Sequence, residues 1–365
     1  MRLQACECTV MRGELVGRRR SEGCTNDRAP PFSHPVADAL QAATQHAQAQ
    51  MIPCGRCTLL ALVLAAAVPL ALQRLAPTYP VRDGAILVTG ASTGIGYEAA
   101  LHLAALRPES LILAGVRRPA DAARIAALAL PNLRPLTLDV ASPPSVAAAL
   151  AAVQALRLPL VGLVNNAGIA AGPTAVEFHA LPDARALFDV NFFGALQTTQ
   201  AFLPLLRAAR GRLVGVSSVF GAVAPPMGGL YAASKFALEA LHDSLRRELA
   251  AAGVSVSLVC PGAVATPIFR TLEPASLAAA VRARAPAVAV YPHLHTPRDV
   301  ENEVKIEALA DAPGVTSAAI AHALLDPQPR ARYYVANILG APAWLLARLA
   351  GLLPTRLMDR VMLLK

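Results

Sequence analysis

From Val81 onward the chain alternates short, almost wholly apolar runs with Ala- and Leu-rich stretches at helical spacing. Ala85–Thr89, Leu111–Val116, Leu133–Leu138, Gly162–Val164, Gly211–Ser217 and Val254–Val259 are predicted as strands, and Gly96 to about Leu106 as a helix. A strand that is apolar at every position, rather than every second one, must be covered on both faces. That predicts a parallel sheet with helices on either side. The expected class is α/β, a doubly wound parallel sheet forming a single domain over residues 81–336.

The flanks follow a different pattern. Residues 1–50 carry Arg18-Arg19-Arg20, three Cys and little periodicity, and read as a disordered extension or as sequence preceding a start at Met51. A transit peptide is poor in acids, and Glu7, Glu14, Glu22, Asp27 and Asp38 argue against one. Within 51–80 no charge falls between Arg56 and Arg74. That run is at the short end of the ~20 residues needed to cross a bilayer. The expectation is a membrane anchor, with a signal peptide and a buried helix as the other readings. Residues 337–365 place apolar positions at helical spacing between Arg348, Arg356 and Arg360, which fits an amphipathic helix on a membrane surface or packed on the domain.

Composition narrows the function classes. The 365 residues are 55% hydrophobic, which excludes a disordered protein. The net charge of +9 is nearly all scattered Arg, because Lys235, Lys305 and Lys365 are the only lysines. Without a basic stripe or interleaved aromatics, no nucleic-acid partner is expected. Of six Cys only Cys260 lies inside the predicted domain, so the domain holds no internal disulfide and suits a reducing compartment. Cys54-x-x-Cys57 is open to lipidation, half a metal site or no role. His293 and His295 are too few for a metal site, and none is expected.

The first strand runs into Thr89-Gly90-Ala91-Ser92-Thr93-Gly94-Ile95-Gly96 and then into the predicted helix. Gly90 permits a tight turn, Gly94 a close backbone approach to a pyrophosphate, and Gly96 close helix–strand packing. The helix N-terminus would present free N–H groups to the phosphates. Further on, Tyr231-Ala-Ala-Ser-Lys235 puts a phenol and an ammonium on one helix face. A phenol so placed can move a proton at a substrate oxygen. The nearby ammonium is expected to lower its pKa for that task.

The G-x-x-x-G-x-G spacing resembles the short-chain dehydrogenase/reductase family, whose fold is the Rossmann sheet. Asn165-Asn166-Ala167-Gly168, Asn191, Ser218, Tyr231, Lys235 and Pro261-Gly262-x-x-x-Thr266 match its other motifs in order. The resemblance implies catalysis by Asn191, Ser218, Tyr231 and Lys235, with Ser217 as the neighbouring alternative to Ser218. It implies cofactor contacts from Gly90, Ser92, Thr93, Gly94, Ile95, Gly96, Asp139, Val140, Asn166, Ala167, Gly168, Tyr231, Lys235, Pro261, Gly262, Val264 and Thr266. On its own, Asp139 reads equally as a turn or helix cap.

Where the family's NAD-selecting acid would follow the second strand, this chain has Val116 and then Arg117-Arg118. A guanidinium there can pair with a 2′-phosphate, so the expected cofactor is NADP(H) rather than NAD(H), while Arg117 and Arg118 read equally as a solvated surface pair. The Tyr231–Leu249 stretch and Pro329–Tyr333 are similar to the retinol, 17-beta-hydroxysteroid and 3-hydroxybutyrate dehydrogenase branch. The implied substrate is a lipophilic alcohol or ketone under an apolar lid at Pro267–Thr296. A homo-oligomer and a location on the endoplasmic reticulum or another organelle membrane accompany that reading. A non-catalytic nucleotide-binding scaffold and an acyl-chain ketoreductase are the competing functions.

Overall fold

The computed structural model describes residues 77–170, 172, 174–269, 286–294 and 308–363. The apolar run between Arg56 and Arg74 lies outside them, as do most of the predicted lid and the extension 1–50. Among the described residues no helix is long and apolar enough to cross a membrane.

Seven parallel strands form one sheet in the order β3-β2-β1-β4-β5-β6-β7. They are β1 (Ala85–Thr89), β2 (Leu111–Val116), β3 (Leu133–Thr137), β4 (Leu160–Asn165), β5 (Arg212–Val216), β6 (Ser255–Pro261) and β7 (Arg332–Val335). The helices are α1 (Gly94–Leu106), α2 (Pro119–Ala126), α3 (Pro143–Ala155), α4 (Leu181–Phe188), α5 (Ala195–Ala209), α6 (Gly229–Glu248) and α7 (Pro313–Leu325).

The predicted two-sided burial is what the strands show. Along β1, Ala85 and Leu87 join one core with Val146 of α3 and Phe202 and Leu206 of α5. Ile86 and Val88 join the opposite core with Leu103 of α1 and Ile320 of α7. Alternating side chains thus meet a helix layer on each face, and every residue of β1 is buried.

β1 pairs with β2 on one side and with β4 on the other. The winding reverses between β1 and β4, and the crevice beyond their carboxyl ends is the place where such sheets bind ligands. β7 was not among the predicted strands. Its RYYV is polar and half-exposed, as befits an edge, and only pairing with β6 makes it a strand.

At the opposite end of the strands, the buried Arg212 guanidinium donates to the carbonyls of Ala323, Asp326 and Tyr79. The Tyr79 N–H donates to Pro327 O at 2.8 Å. The chain therefore enters the domain at the amino ends of the strands, away from the crevice.

The C-terminal stretch is not the single helix expected. A short hairpin, β8 (Asn337–Ile338) with β9 (Ala341–Pro342), precedes α8 (Ala343–Leu352) and α9 (Thr355–Leu363). Pro354 explains the break: it offers no N–H and forces Leu353 into an extended conformation, φ −81° and ψ 139°.

Candidate active site

The glycine-rich turn is shaped by what it touches. Gly90 and Gly94 have φ of +65° and +58°, conformations that disfavour any side chain. A Cβ on Gly90 would lie 2.7 Å from Ala167 Cα, and one on Gly96 would overlap Asn166 Nδ2. A Cβ on Gly94 would come within 3.1 Å of Thr266. The first helix turn, the Asn166–Gly168 segment and the loop after β6 thus converge, although they are far apart in sequence.

Two side chains lace the crevice. Thr89, which the sequence reading did not single out, accepts from the N–H groups of Asn166 and Ala167, each at 3.0 Å, and donates to Val164 O. Asn166 Nδ2 returns bonds to the carbonyls of Thr89 and Gly90 at 2.9 and 3.2 Å. Asn165 instead turns into the core, bonding Thr199 Oγ1 at 2.7 Å. A signal for Thr89 was available: a polar residue closing an otherwise apolar buried strand.

Helix α1 has no acid in its first turn, and Thr93 makes no side-chain cap bond. Its leading N–H groups and positive dipole end are left for an anion, so the cradle fits a pyrophosphate. Ser92 and Thr93 are at least partly accessible here, as is Ile95, which packs on the core beneath α1. Arg124 of α2 donates to Ser92 O and lies 5.8 Å above the Tyr97 ring, another basic group not singled out from sequence.

Several expected contacts have other duties as well. Val116 and Val140 are buried at 1% and 5% exposure, and the Val140 carbonyl accepts from Gln197. Asp139 Oδ1 accepts from Ala141 N at 3.0 Å, the turn role that its sequence context also allowed. Arg117 is the first exposed residue after β2.

The loop after β6 is fixed from outside. Gly262 N donates to Val335 O and Ala263 N to Asn337 O. Val264 bridges to Asp311, whose carboxylate also accepts from Asn337 N at 2.6 Å. Gly262 cannot carry a Cβ, which would fall 2.5 Å from Asn337 O.

The catalytic candidates come together on the β4–β5–α6 side. Ser218 caps a short 3₁₀ turn, Val219–Gly221, by accepting from Phe220 N at 3.2 Å. Its hydroxyl also acts on the Tyr231 phenol, lowering its pKa against the effect of burial. Ser217 points the other way, donating to Glu239 Oε1 at 3.0 Å. Lys235 Nζ donates to Val216 O at 3.1 Å and stands 5.6 Å from the centre of the Tyr231 ring.

Asn191 sits in a π-helical segment, Asp189–Gly194, between α4 and α5. Such a bulge re-aims one side chain within a helix. The Asn191 amide bonds Ile169 on both its N–H and C=O, at 2.8 and 2.9 Å, and Nδ2 also reaches Ser234 Oγ at 3.1 Å. The fully used side chain makes Asn191 a brace between the loop after β4 and α6. Gly168 lies between Asn191 and Lys235: a Cβ there would be 3.4 Å from Asn191 Oδ1 and 3.6 Å from Nζ.

The electrostatics differ from the expectation of a lowered phenol pKa. Burial pushes Tyr231 up to about 12, and the Ser218 hydroxyl opposes that only in part. Burial lowers Lys235 to about 8, opposed in part by the Glu239 carboxylate. The reason is physical: a dry cleft penalises every charged form before any partner acts. The chain's own groups therefore leave the phenol protonated at neutral pH, the form that donates.

A doubly wound sheet with a glycine cradle at its switch point, facing a Ser–Tyr–Lys cluster, defines a dinucleotide-binding oxidoreductase site. Comparisons with known proteins agree with that class. The short chain dehydrogenase family matches residues 84–276, more than half the chain. The uncharacterized oxidoreductase YbbO of Escherichia coli K12 is 34% identical over 288 residues, covering 78% of this chain and 96% of that protein. Retinol dehydrogenase 5 of Mus musculus is 36% identical over 294 residues, covering 78% and 89%.

A short chain dehydrogenase from Burkholderia cenocepacia J2315, solved in complex with NADP, superposes with a TM-score of 0.57 at 26% identity, covering 78% of this chain and 98% of that one. The chain belongs to the short-chain dehydrogenase/reductase family. Its relatives include the retinol and D-beta-hydroxybutyrate dehydrogenases of the predicted branch.

Proposed function

We propose that this chain is an NADP(H)-dependent oxidoreductase that interconverts a lipophilic alcohol and its ketone or aldehyde at a membrane surface. The observation that carries the reading is the buried Lys235 Nζ, 5.6 Å from the centre of the Tyr231 ring, beside the turn that Ser218 caps. A bound nicotinamide would supply or accept the hydride. Tyr231, protonated, gives its proton to the substrate oxygen in reduction and recovers it in oxidation. Ser218, already accepting from Phe220 N, keeps its own proton to donate to that oxygen. Lys235 places a positive charge against the Tyr231 ring, and Asn191 braces the loop after β4 against α6. Arg117, exposed just beyond β2, would meet a 2′-phosphate.

Similarity to retinol dehydrogenase 5 supports a lipophilic substrate. So does the exposed apolar surface of α8, where Trp344, Leu345 and Leu352 are 52%, 39% and 78% exposed. Ala343, which begins that helix, packs against Gly262 of the loop after β6, so this surface borders the crevice. The run before Arg74 would add a second membrane contact.

The test is turnover of purified full chain with retinoids, steroids, short hydroxy acids and acyl thioesters, each with both cofactors. Retinoid or steroid turnover favouring NADP(H) supports the proposal. Turnover of acyl thioesters alone, or cofactor binding without any turnover, overturns it. The full chain should also pellet with vesicles after a high-salt wash. Deleting residues 1–75, which leaves Tyr79 and its two bonds intact, should weaken that and spare turnover.

A further inference from the structure

Helix α6 carries four polar residues at successive four-residue steps: Tyr231, Lys235, Glu239 and Asp243. Positions so spaced share one helix face. The first two serve the reaction proposed above. The third is an acid with only 7% exposure, an uncommon state for Glu unless it is paired.

Glu239 is amply partnered. Its Oε1 accepts from Ser217 Oγ at 3.0 Å and from Cys260 Sγ at 3.4 Å, and its Oε2 from Arg332 Nε at 3.2 Å. Arg332 Nη2 continues to Asp243 at 2.8 Å. Gly221 closes over the carboxylate so tightly that a Cβ there would overlap Oε1. One carboxylate thus ties α6 to the end of β5, to the turn after it, to β6 and to edge strand β7. The segment held most closely, Ser217–Gly221, contains Ser218.

We infer that Glu239 is a positioning residue for the reaction: a buried carboxylate that keeps the Lys235 side chain charged and holds the Ser218 turn against the helix bearing Tyr231. The charge argument follows from the surroundings of Lys235. Its neighbours on α6 are Tyr231, Glu239, His242 and Asp243. β6 offers Cys260, and β7 offers Arg332 and Tyr334. Among the described residues, the loop after β4 and the π-helical segment bring the neutral Gly168 and Asn191 to it. Burial holds the Cys260 thiol well above its ordinary range, so it donates to Glu239 as a neutral group. Glu239 is then the nearest anion to set against the desolvation of Lys235, with Asp243 one turn further and already shared by Arg332 and Arg246.

The inference rests on the proposed role of Lys235, but its test needs no substrate. Only three lysines exist, so with Lys305→Arg and Lys365→Arg the Lys235 side chain gives a single resonance in lysine-labelled full-length protein. That signal should titrate near 8. Glu239→Gln keeps the shape and removes the charge, and should move the titration down by about one pH unit, a tenfold weaker proton affinity. Glu239→Asp should restore most of it. Loosening of the fold relieves desolvation and moves the signal upward, so it does not produce the downward shift of Glu239→Gln. Arg332→Gln removes a neighbouring cation and should also move the signal upward. Arg332→Lys, which keeps the charge but loosens the contact, should not, and its added lysine gives a second resonance.

In the active enzyme, Glu239→Gln should shift the alkaline limb of the kcat profile in the same direction. An unmoved Lys235 titration in Glu239→Gln, or shifts of one sign in Glu239→Gln and Arg332→Gln, overturns the inference. If Glu239→Gln gives no cooperative thermal transition, the Arg332 pair decides: an upward shift in Arg332→Gln that the charge-keeping Arg332→Lys lacks supports it, and no shift, a downward shift or equal shifts in both overturn it. Failure to turn over any substrate would sink the proposed function and leave this titration unaffected.

Discussion

The two walls of the crevice are built on different physics. On the β1 side the cradle is backbone and shape: glycines that admit no Cβ, Thr89 and Asn166 bonding main chain, and no buried charge among the described residues. On the β5–α6 side the wall is side chains with displaced titrations, Tyr231 high, Lys235 low, and a buried carboxylate behind them. A wall made of shape fails by steric overlap and loses binding. A wall made of buried protons fails by losing turnover or moving its pH dependence while binding survives. Substitutions on each side should separate accordingly.

The largest effect expected is from Tyr231→Phe. Positioned acid/base catalysis supplies roughly 10²–10⁴-fold, so turnover should fall by that factor. Cofactor affinity, measured by fluorescence titration, should stay within a few fold. A variant keeping more than about a hundredth of the activity would remove Tyr231 from the acid/base role.

On the other wall, Gly96→Ala drives a methyl into Asn166 and the Gly90 carbonyl. Overpacking of this kind costs about 1–3 kcal/mol. Cofactor affinity should drop by tenfold or more as the turn is displaced. Unchanged affinity in isothermal titration would mean that the cradle is not the cofactor's site.

His242 offers a pH test of the second wall's dryness. The ring is fully buried against Gly215 and donates from Nδ1 to Leu238 O. Burial lowers it from an ordinary 6.5 to about 4. Between those values the unfolded chain binds a proton that the folded one does not, so stability rises with pH there and falls on acidification from 6.5 toward 4. The loss should be on the order of 3 kcal/mol. His242→Gln should flatten that window in thermal melts run against pH; a parallel curve would show that the drop belongs to other groups.

The smallest effect is expected at the cofactor's far end. Arg117 is exposed, and a solvated guanidinium–phosphate contact is worth about 1–2 kcal/mol. Arg117→Ala should reduce the preference for NADP(H) over NAD(H) by roughly tenfold, read as the ratio of the two kcat/KM values. Arg124→Ala is the comparison: Arg124 already bonds Ser92 O, so a larger loss there would move the 2′-phosphate contact onto α2.

Local chemistry alone decided a good deal. Apolar runs dense enough to need cover on both faces specified a parallel α/β sheet, because no other arrangement buries them. The glycine spacing specified the turn, because positive φ and a missing Cβ are properties of the residue itself. Tyr231 and Lys235 were legible because four residues make one helical turn. Tertiary structure decided whatever depended on partners distant in sequence. Arg332–Val335 became a strand only beside β6, since an edge strand lacks the apolar run that marks a central one. Ser217 and Ser218, adjacent and alike in sequence, were told apart when pleat and turn sent one to Glu239 and the other to Tyr231. The raised phenol and lowered ammonium came from burial, a quantity no spacing encodes. Glu239 reads as an ordinary helix acid until folding closes Cys260, Arg332 and Gly221 around it, because desolvation and pairing exist only once distant segments meet.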